Sequence, residues 1–421
     1  MVSPAHKFFA SLCLFTLFAS HYAAADTLIW NNTGTNFNDA DSWTNANLLL
    51  TSHSPTFTDT VSFDVVAVTD PVVTSGSATA VHGIAFDTLG SGYTLSSATN
   101  GFGYTSQLAI GTGGIQANNI SGTNTISASL VLNMNESITQ AVGGQLNITG
   151  PVVLGADGGT TLTIGSPGGG IVNFTPSSVE LAGDLTIVLK DAIVTLPAVN
   201  LLNAVGTHAS LTLTGGGYMT ITAGGNYDGG TTITDASLIV TNTTGSATGT
   251  GAVVVNGGGT LSGTGIVSGS VTVNGTDGMS DVGRIIGGIN GVGTLTLQSN
   301  LTFSGTLPGL LVQINGSTSG QLAIGGILDL SDPMDQITFT GTPNGTTTYV
   351  LATYGSRVGT FNIVNYLPDG YQLIYGATEL DLVPIPEPTT GLGAALAVTA
   401  IAYTQRRRLA RLLWPPRFAR H

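Results

Sequence analysis

An all-β fold is expected for this chain, specifically a right-handed parallel β-helix, or β-solenoid. Three observations predict it. Sixty of the 421 residues are glycine, and charged residues make up only 8%. Thr and Val favour pleated surfaces, whereas Gly and Asn supply tight corners. Short alternating strands recur between those corners, among them Gln145-Leu146-Asn147-Ile148, Leu211-Thr212-Leu213-Thr214 and Leu295-Thr296-Leu297. The period of two sends Leu, Ile and Val inward and Thr or Asn outward. From Leu146 to Leu295 the strands recur at a mean interval of about 21 residues, within the range of stacked repeats. A sandwich would need larger core residues and longer strands. A stack needs only small aliphatics inside, because each turn rests on the next at about 4.8 Å.

The elements follow in chain order. Residues 1–25 read as a secretory signal peptide. Lys7 supplies the basic start, Phe8 to Ala19 the apolar core, and Ala23 to Ala25 the small residues before a cut at Asp26. Residues 26–120 are expected to be an N-terminal β region and cap, 121–348 the solenoid, and 349–383 a C-terminal β cap. Aromatics gather at Trp30, Phe37, Trp43, Phe63, Phe86 and Tyr93, and again at Tyr349, Tyr354, Phe361, Tyr371 and Tyr375. A solenoid exposes an open sheet edge at each end and must cover it. The competing use of Trp30 and Trp43 is an exposed platform for sugar rings. Residues 384–408 hold Pro386-Glu387-Pro388, an uncharged run from 389 to 404, and Arg406-Arg407-Arg408. At ~1.5 Å per residue that run reaches about 24 Å against roughly 30 Å of hydrocarbon, a short transmembrane helix. The basic tail, 409–421, would stay in the cytoplasm.

This C-terminal order of Pro-Glu-Pro, apolar run and arginines resembles the PEP-CTERM sorting signal of Gram-negative bacteria that make exopolysaccharide. The resemblance implies processing by an exosortase-type membrane protease near Pro386, Glu387 and Pro388, with Arg406, Arg407 and Arg408 as the stop. Family tails end soon after the arginines, whereas this one continues through Trp414 to His421. Tyr227 to Val273, with Gly293-Thr294-Leu295-Thr296-Leu297, resembles an autotransporter-associated β-strand repeat (227–300), which implies a parallel β-helix passenger.

Charge excludes some partners. Between Asp26 and Glu387 lie all 23 acidic residues and three basic ones, Lys190, Arg284 and Arg357, a charge of −20. Such a body repels nucleic acid. The single cysteine, Cys13, belongs to the signal segment, so no disulfide supports the body. No motif implies a cofactor, and no catalytic residue is assigned. A weak calcium candidate is the carboxylate set Asp329, Asp332 and Asp335, whose plain alternative is a solvated turn around Pro333. The Asn36 to Asp41 stretch invites the same idea but lacks the Gly and Glu of a calcium loop. His53, His82 and His208 sit singly, without metal spacing. The expected function is a non-enzymatic surface or extracellular-matrix solenoid, exported by signal peptidase and exosortase-type processing and associated with extracellular polysaccharide. The alternative is a polysaccharide lyase or glycoside hydrolase on the same scaffold, although adjacent acidic pairs are not evident.

Overall fold

The computed structural model describes residues 25–47, 50–74, 79–99, 105–155, 159–165, 170–190, 192–201, 208–275, 282–386 and 396–406. It is a β-solenoid of about 11 turns. Each regular turn has three strands. One turn runs through Thr123–Ile126, Ser129–Leu132 and Glu136–Gln140, and the next through Gln145–Ile148, Val152–Leu154 and Thr160–Gly165. Equivalent strands of successive turns pair in parallel. Gln145–Ile148 thus lies between Thr123–Ile126 and Ile171–Phe174. Three faces result: Glu136–Gln140 belongs to the first, Ser129–Leu132 to the second and Thr123–Ile126 to the third. At ~4.8 Å per turn, the stack is about 50 Å long.

The core is a set of aliphatic ladders. On the first face Leu162, Ile187, Leu213, Ile233, Val255, Val273 and Phe303 stand over one another in register. On the third face Leu238, Leu261, Ile285, Leu310 and Ile337 do the same. All are buried, each contributing roughly 1.5–3 kcal/mol of apolar transfer. Polar residues form matching ladders outside, as where Asn173 donates to Asn147 at 2.8 Å.

The repeat length varies, as the uneven spacing of the strands along the sequence suggested. Bonded neighbours one turn apart are separated by 18 residues at Asn274 and Asn256, 26 at Asn173 and Asn147, and 30 at Ser268 and Gln298. The strands that gave the mean interval come from different faces: Leu146 from the third, Leu211 from the first, and Leu295 from the second. A turn has to keep its strands in register, while its corners can absorb extra residues.

Both ends close by reversing strand direction. Thr27–Trp30 pairs in parallel with Thr60–Phe63 and antiparallel with Trp43–Asn45. Parallel stacking therefore begins at Thr27, and residues 26–120 are continuous with the solenoid. At the far end Glu379–Pro384 pairs antiparallel with Tyr349–Gly359 and with Tyr371–Tyr375. Trp30 and Trp43 are buried and meet edge to face at 5.0 Å, beside Phe63. They plug the first turns from within, so the sugar-platform reading is corrected.

Candidate functional site

The N-terminal end brings together residues that look unrelated in sequence. Asp26, His53 and Asp59 place one ligand atom each within 4.8 Å of the others, the only such trio of His, Cys, Asp or Glu among the described residues. Asp26 precedes the strand Thr27–Trp30, His53 lies in the segment between Trp43–Asn45 and Thr60–Phe63, and Asp59 precedes the latter. His53 Nε2 is 3.2 Å from Asp26 Oδ2, and His53 Nδ1 is 3.8 Å from Asp59 Oδ2. Nδ1 also faces the Ser54 carbonyl at 2.9 Å. With acceptors before both nitrogens, the Ser54 carbonyl first and then the Asp26 carboxylate raise the pKa of His53 against the opposing effect of burial.

This donor set fits an ion-pair clamp better than a metal centre. Asp59 is fully buried, and both its oxygens are engaged: Oδ1 by the Asp26 backbone N–H at 3.3 Å, Oδ2 by the Thr56 backbone N–H at 2.7 Å and the Thr56 hydroxyl at 2.6 Å. Asp26 Oδ2 also accepts from Asn45 Nδ2 at 2.9 Å. A cation would have to displace these donors and the His53 proton. Spacing analysis missed the trio because its members are 27 and six residues apart, and only the closure of the end brings them together.

A carboxyl pair lies one strand end away. Ser62 Oγ donates to Asp64 and, at 3.4 Å, to Asp87. Burial, then the Asp64 carboxyl itself, raises the pKa of exposed Asp87. The sequence did not show this pair because stacking, with Phe63 opposite Phe86, sets the two residues side by side.

The calcium candidate Asp329, Asp332 and Asp335 does not form a three-ligand cluster among the described residues; the one trio that does is at the other end. Asp329 accepts from Ser331 N at 3.1 Å, while Asp332 accepts from Met334 N at 2.9 Å and Gly305 N at 3.0 Å. Asp335 is not solvated either. It is fully buried, neither oxygen has a partner, and burial followed by the Asp332 charge pushes its pKa up to about 7. In the Asn36 to Asp41 stretch, Asn36 and Asp39 cap a turn and a short 3-10 helix with their side chains. His82 lies within the strand Thr79–Phe86, and His208 meets Asp228 at 2.7 Å.

Of the sorting residues, Ala25 and Asp26 begin the described body, and Pro386 follows the last strand, Glu379–Pro384. Ile385 is still tied to Gly370 by a 2.7 Å backbone bond. Ala23, Glu387, Pro388, Arg407 and Arg408 lie outside the described residues. Arg406 is the last described residue of an exposed helical stretch, 396–406. Among the described residues no helix is long and apolar enough to cross a membrane, and residues 389–395 of the helix expected over 389–404 lie outside them. No family model and no curated protein matches this chain.

Proposed function

We propose that the chain is an exported structural or adhesive solenoid of the cell surface or extracellular matrix, trimmed at both ends and associated with extracellular polysaccharide. The carrying observation is a stack of about 11 turns closed at each end by antiparallel strands. Such a body stacks its core internally without disulfides. Antiparallel strands cover the first and last strands of its larger sheet, while Ile363–Asn365 on the third face is paired on one side only among the described residues. The expected cut sites flank it closely. Asp26 bears the backbone N–H that meets buried Asp59, so a new amino terminus there would place an ammonium against a carboxylate. Pro386 is exposed and lies two residues beyond the final strand. We take the coil as right-handed, the hand that parallel crossovers adopt, and the exosortase-type protease and signal peptidase as the processing partners.

The enzyme reading is favoured by one observation, the Asp64–Asp87 pair. Both carboxyls reach one Ser62 hydroxyl and Asp64 raises the pKa of Asp87, so the two crowd each other rather than flank a space for a sugar bond as glycoside hydrolysis requires. The structural reading therefore fits better. Mass spectrometry of the cell-associated and released protein tests it. The expected mature form starts at Asp26 and ends near Pro386-Glu387-Pro388. A surface form that retains the arginine tail would overturn the processing. Turnover of alginate or pectin that is lost in Asp87→Asn would establish the enzyme instead.

A further inference from the structure

The outer side of the third face carries a hollow of about 280 Å³, bordered by Arg284, Leu307, Gly309, Gln336, Thr338 and Tyr366. Register explains how it forms. Arg284 stands over Gly309, and Gly309 over Gln336. The missing side chain at Gly309 leaves a gap in the outward column, and a Cβ there would come within 3.3 Å of Gln336 Cγ. The floor is fixed: Gln336 Nε2 donates to Leu307 O at 2.6 Å, while Asn365 Nδ2 donates to Gln336 Oε1 at 2.8 Å and Thr338 Oγ1 at 3.3 Å.

Two independent features mark the hollow as more than a packing gap. Leu307 and Tyr366 have φ of +56° and +55°, two of only five non-glycine residues with left-handed backbone among the described residues. Strain of this kind persists where the surroundings enforce it, and it concentrates at binding sites. Tyr366 is also 83% exposed, with its ring beside the opening. The second feature is Arg284. In a body with only three basic residues against 23 acidic ones, its guanidinium has no ion pair or hydrogen-bond partner among the described residues. The hollow therefore offers a planar fork of donors, a hydroxyl and an aromatic face, and no carboxylate lines it among the described residues.

We propose that this hollow binds a single carboxylate-bearing sugar unit of a polysaccharide, its charge met locally by Arg284, because the acidic body as a whole repels a densely charged polymer. The Arg284 fork would take the carboxylate in bidentate fashion, Tyr366 would lie against the ring, and Thr338 would meet a sugar hydroxyl. The volume sits just below the usual ~300–1,000 Å³ of ligand clefts, which suits one ring of a polymer. The choice of a polysaccharide as the source of the carboxylate rests on the extracellular reading above. The residues themselves specify the carboxylate.

Calorimetric titration of the purified chain with trigalacturonate, maltotriose and acetate tests the assignment. Saturable binding of trigalacturonate is expected, at least tenfold tighter than either of the others. Arg284→Gln should weaken it at least tenfold, and Gly309→Ala should weaken it by filling the floor. Tyr366→Gly should weaken binding while raising the melting temperature, because glycine relieves the left-handed backbone; a purely structural tyrosine would not separate the two readouts. Equal binding of maltotriose, an unchanged Arg284→Gln titration, or no binding of trigalacturonate would overturn the proposal. Because the assay uses isolated protein, these outcomes are independent of export. A correctly trimmed surface protein that does not bind would lose this assignment alone.

Discussion

Asp335 and Glu136 are carboxyls placed where ionisation is unfavourable. Glu136 is 4% exposed, one of its oxygens has no partner, and burial pushes its pKa up to about 9. Asp335 is pushed up to about 7 by burial and then by Asp332. In each case the native state keeps a proton that the unfolded chain has already released. Stability therefore falls as pH rises, between about 4 and 7 for Asp335 and between about 4.5 and 9 for Glu136. Asp335→Asn should melt like the parent at pH 4 but roughly 2 °C or more higher at pH 8. Glu136→Gln should show its gain most clearly at pH 9 and above, read by the same thermal melts. Asp59 is a buried carboxyl with both oxygens hydrogen-bonded. Asp59→Ala leaves the Thr56 and Asp26 donors without their acceptor, so it should cost about 1–3 kcal/mol, measurable by denaturant unfolding.

At the scale of elements, the caps decide whether the rod stays single. Leu380 and Leu382 of Glu379–Pro384 are fully buried where that strand covers Tyr349–Gly359. Leu382→Asp should destabilise the cap by about 3–5 kcal/mol and uncover a parallel edge. The measurable outcome is concentration-dependent association in light scattering, absent in the parent. Corners set a different limit. Gly249 has φ of +62°, and a Cβ there would run into the Tyr227 carbonyl of the neighbouring turn. Gly249→Ala should therefore cost more than the ~1 kcal/mol of left-handed strain alone, because two backbones must separate. Glycine-rich corners follow from turns that approach each other this closely.

For the whole molecule the proton-linked groups act in one direction. Burial raises Asp87, Glu180 and Asp381 as well as Asp335 and Glu136. The raised pKa of His53 adds stability that is present below pH 6.5 and is lost as pH rises through its folded-state value. A chain with 23 acidic and ten basic residues also repels itself less as carboxylates protonate. The melting temperature should therefore rise as pH falls from 9 to 5, contrary to the acid destabilisation usual for proteins with paired carboxylates. A melt series across that range checks it.

The class of fold was legible along the chain because inward and outward positions alternate locally. Leu211-Thr212-Leu213-Thr214 shows its buried face without reference to any other strand, and the two aromatic clusters mark both ends. The number of strands per turn was not legible, since Leu146 and Leu211 look equivalent until pairing assigns them to different faces. Nor was the trio of Asp26, His53 and Asp59, the Asp64–Asp87 pair or the hollow beside Arg284. Alternation and glycine corners express short-range sterics and burial, which neighbouring residues determine by themselves. Which residue stands above which depends on corner length, and corners here vary enough that only the stacked structure decides what meets across turns.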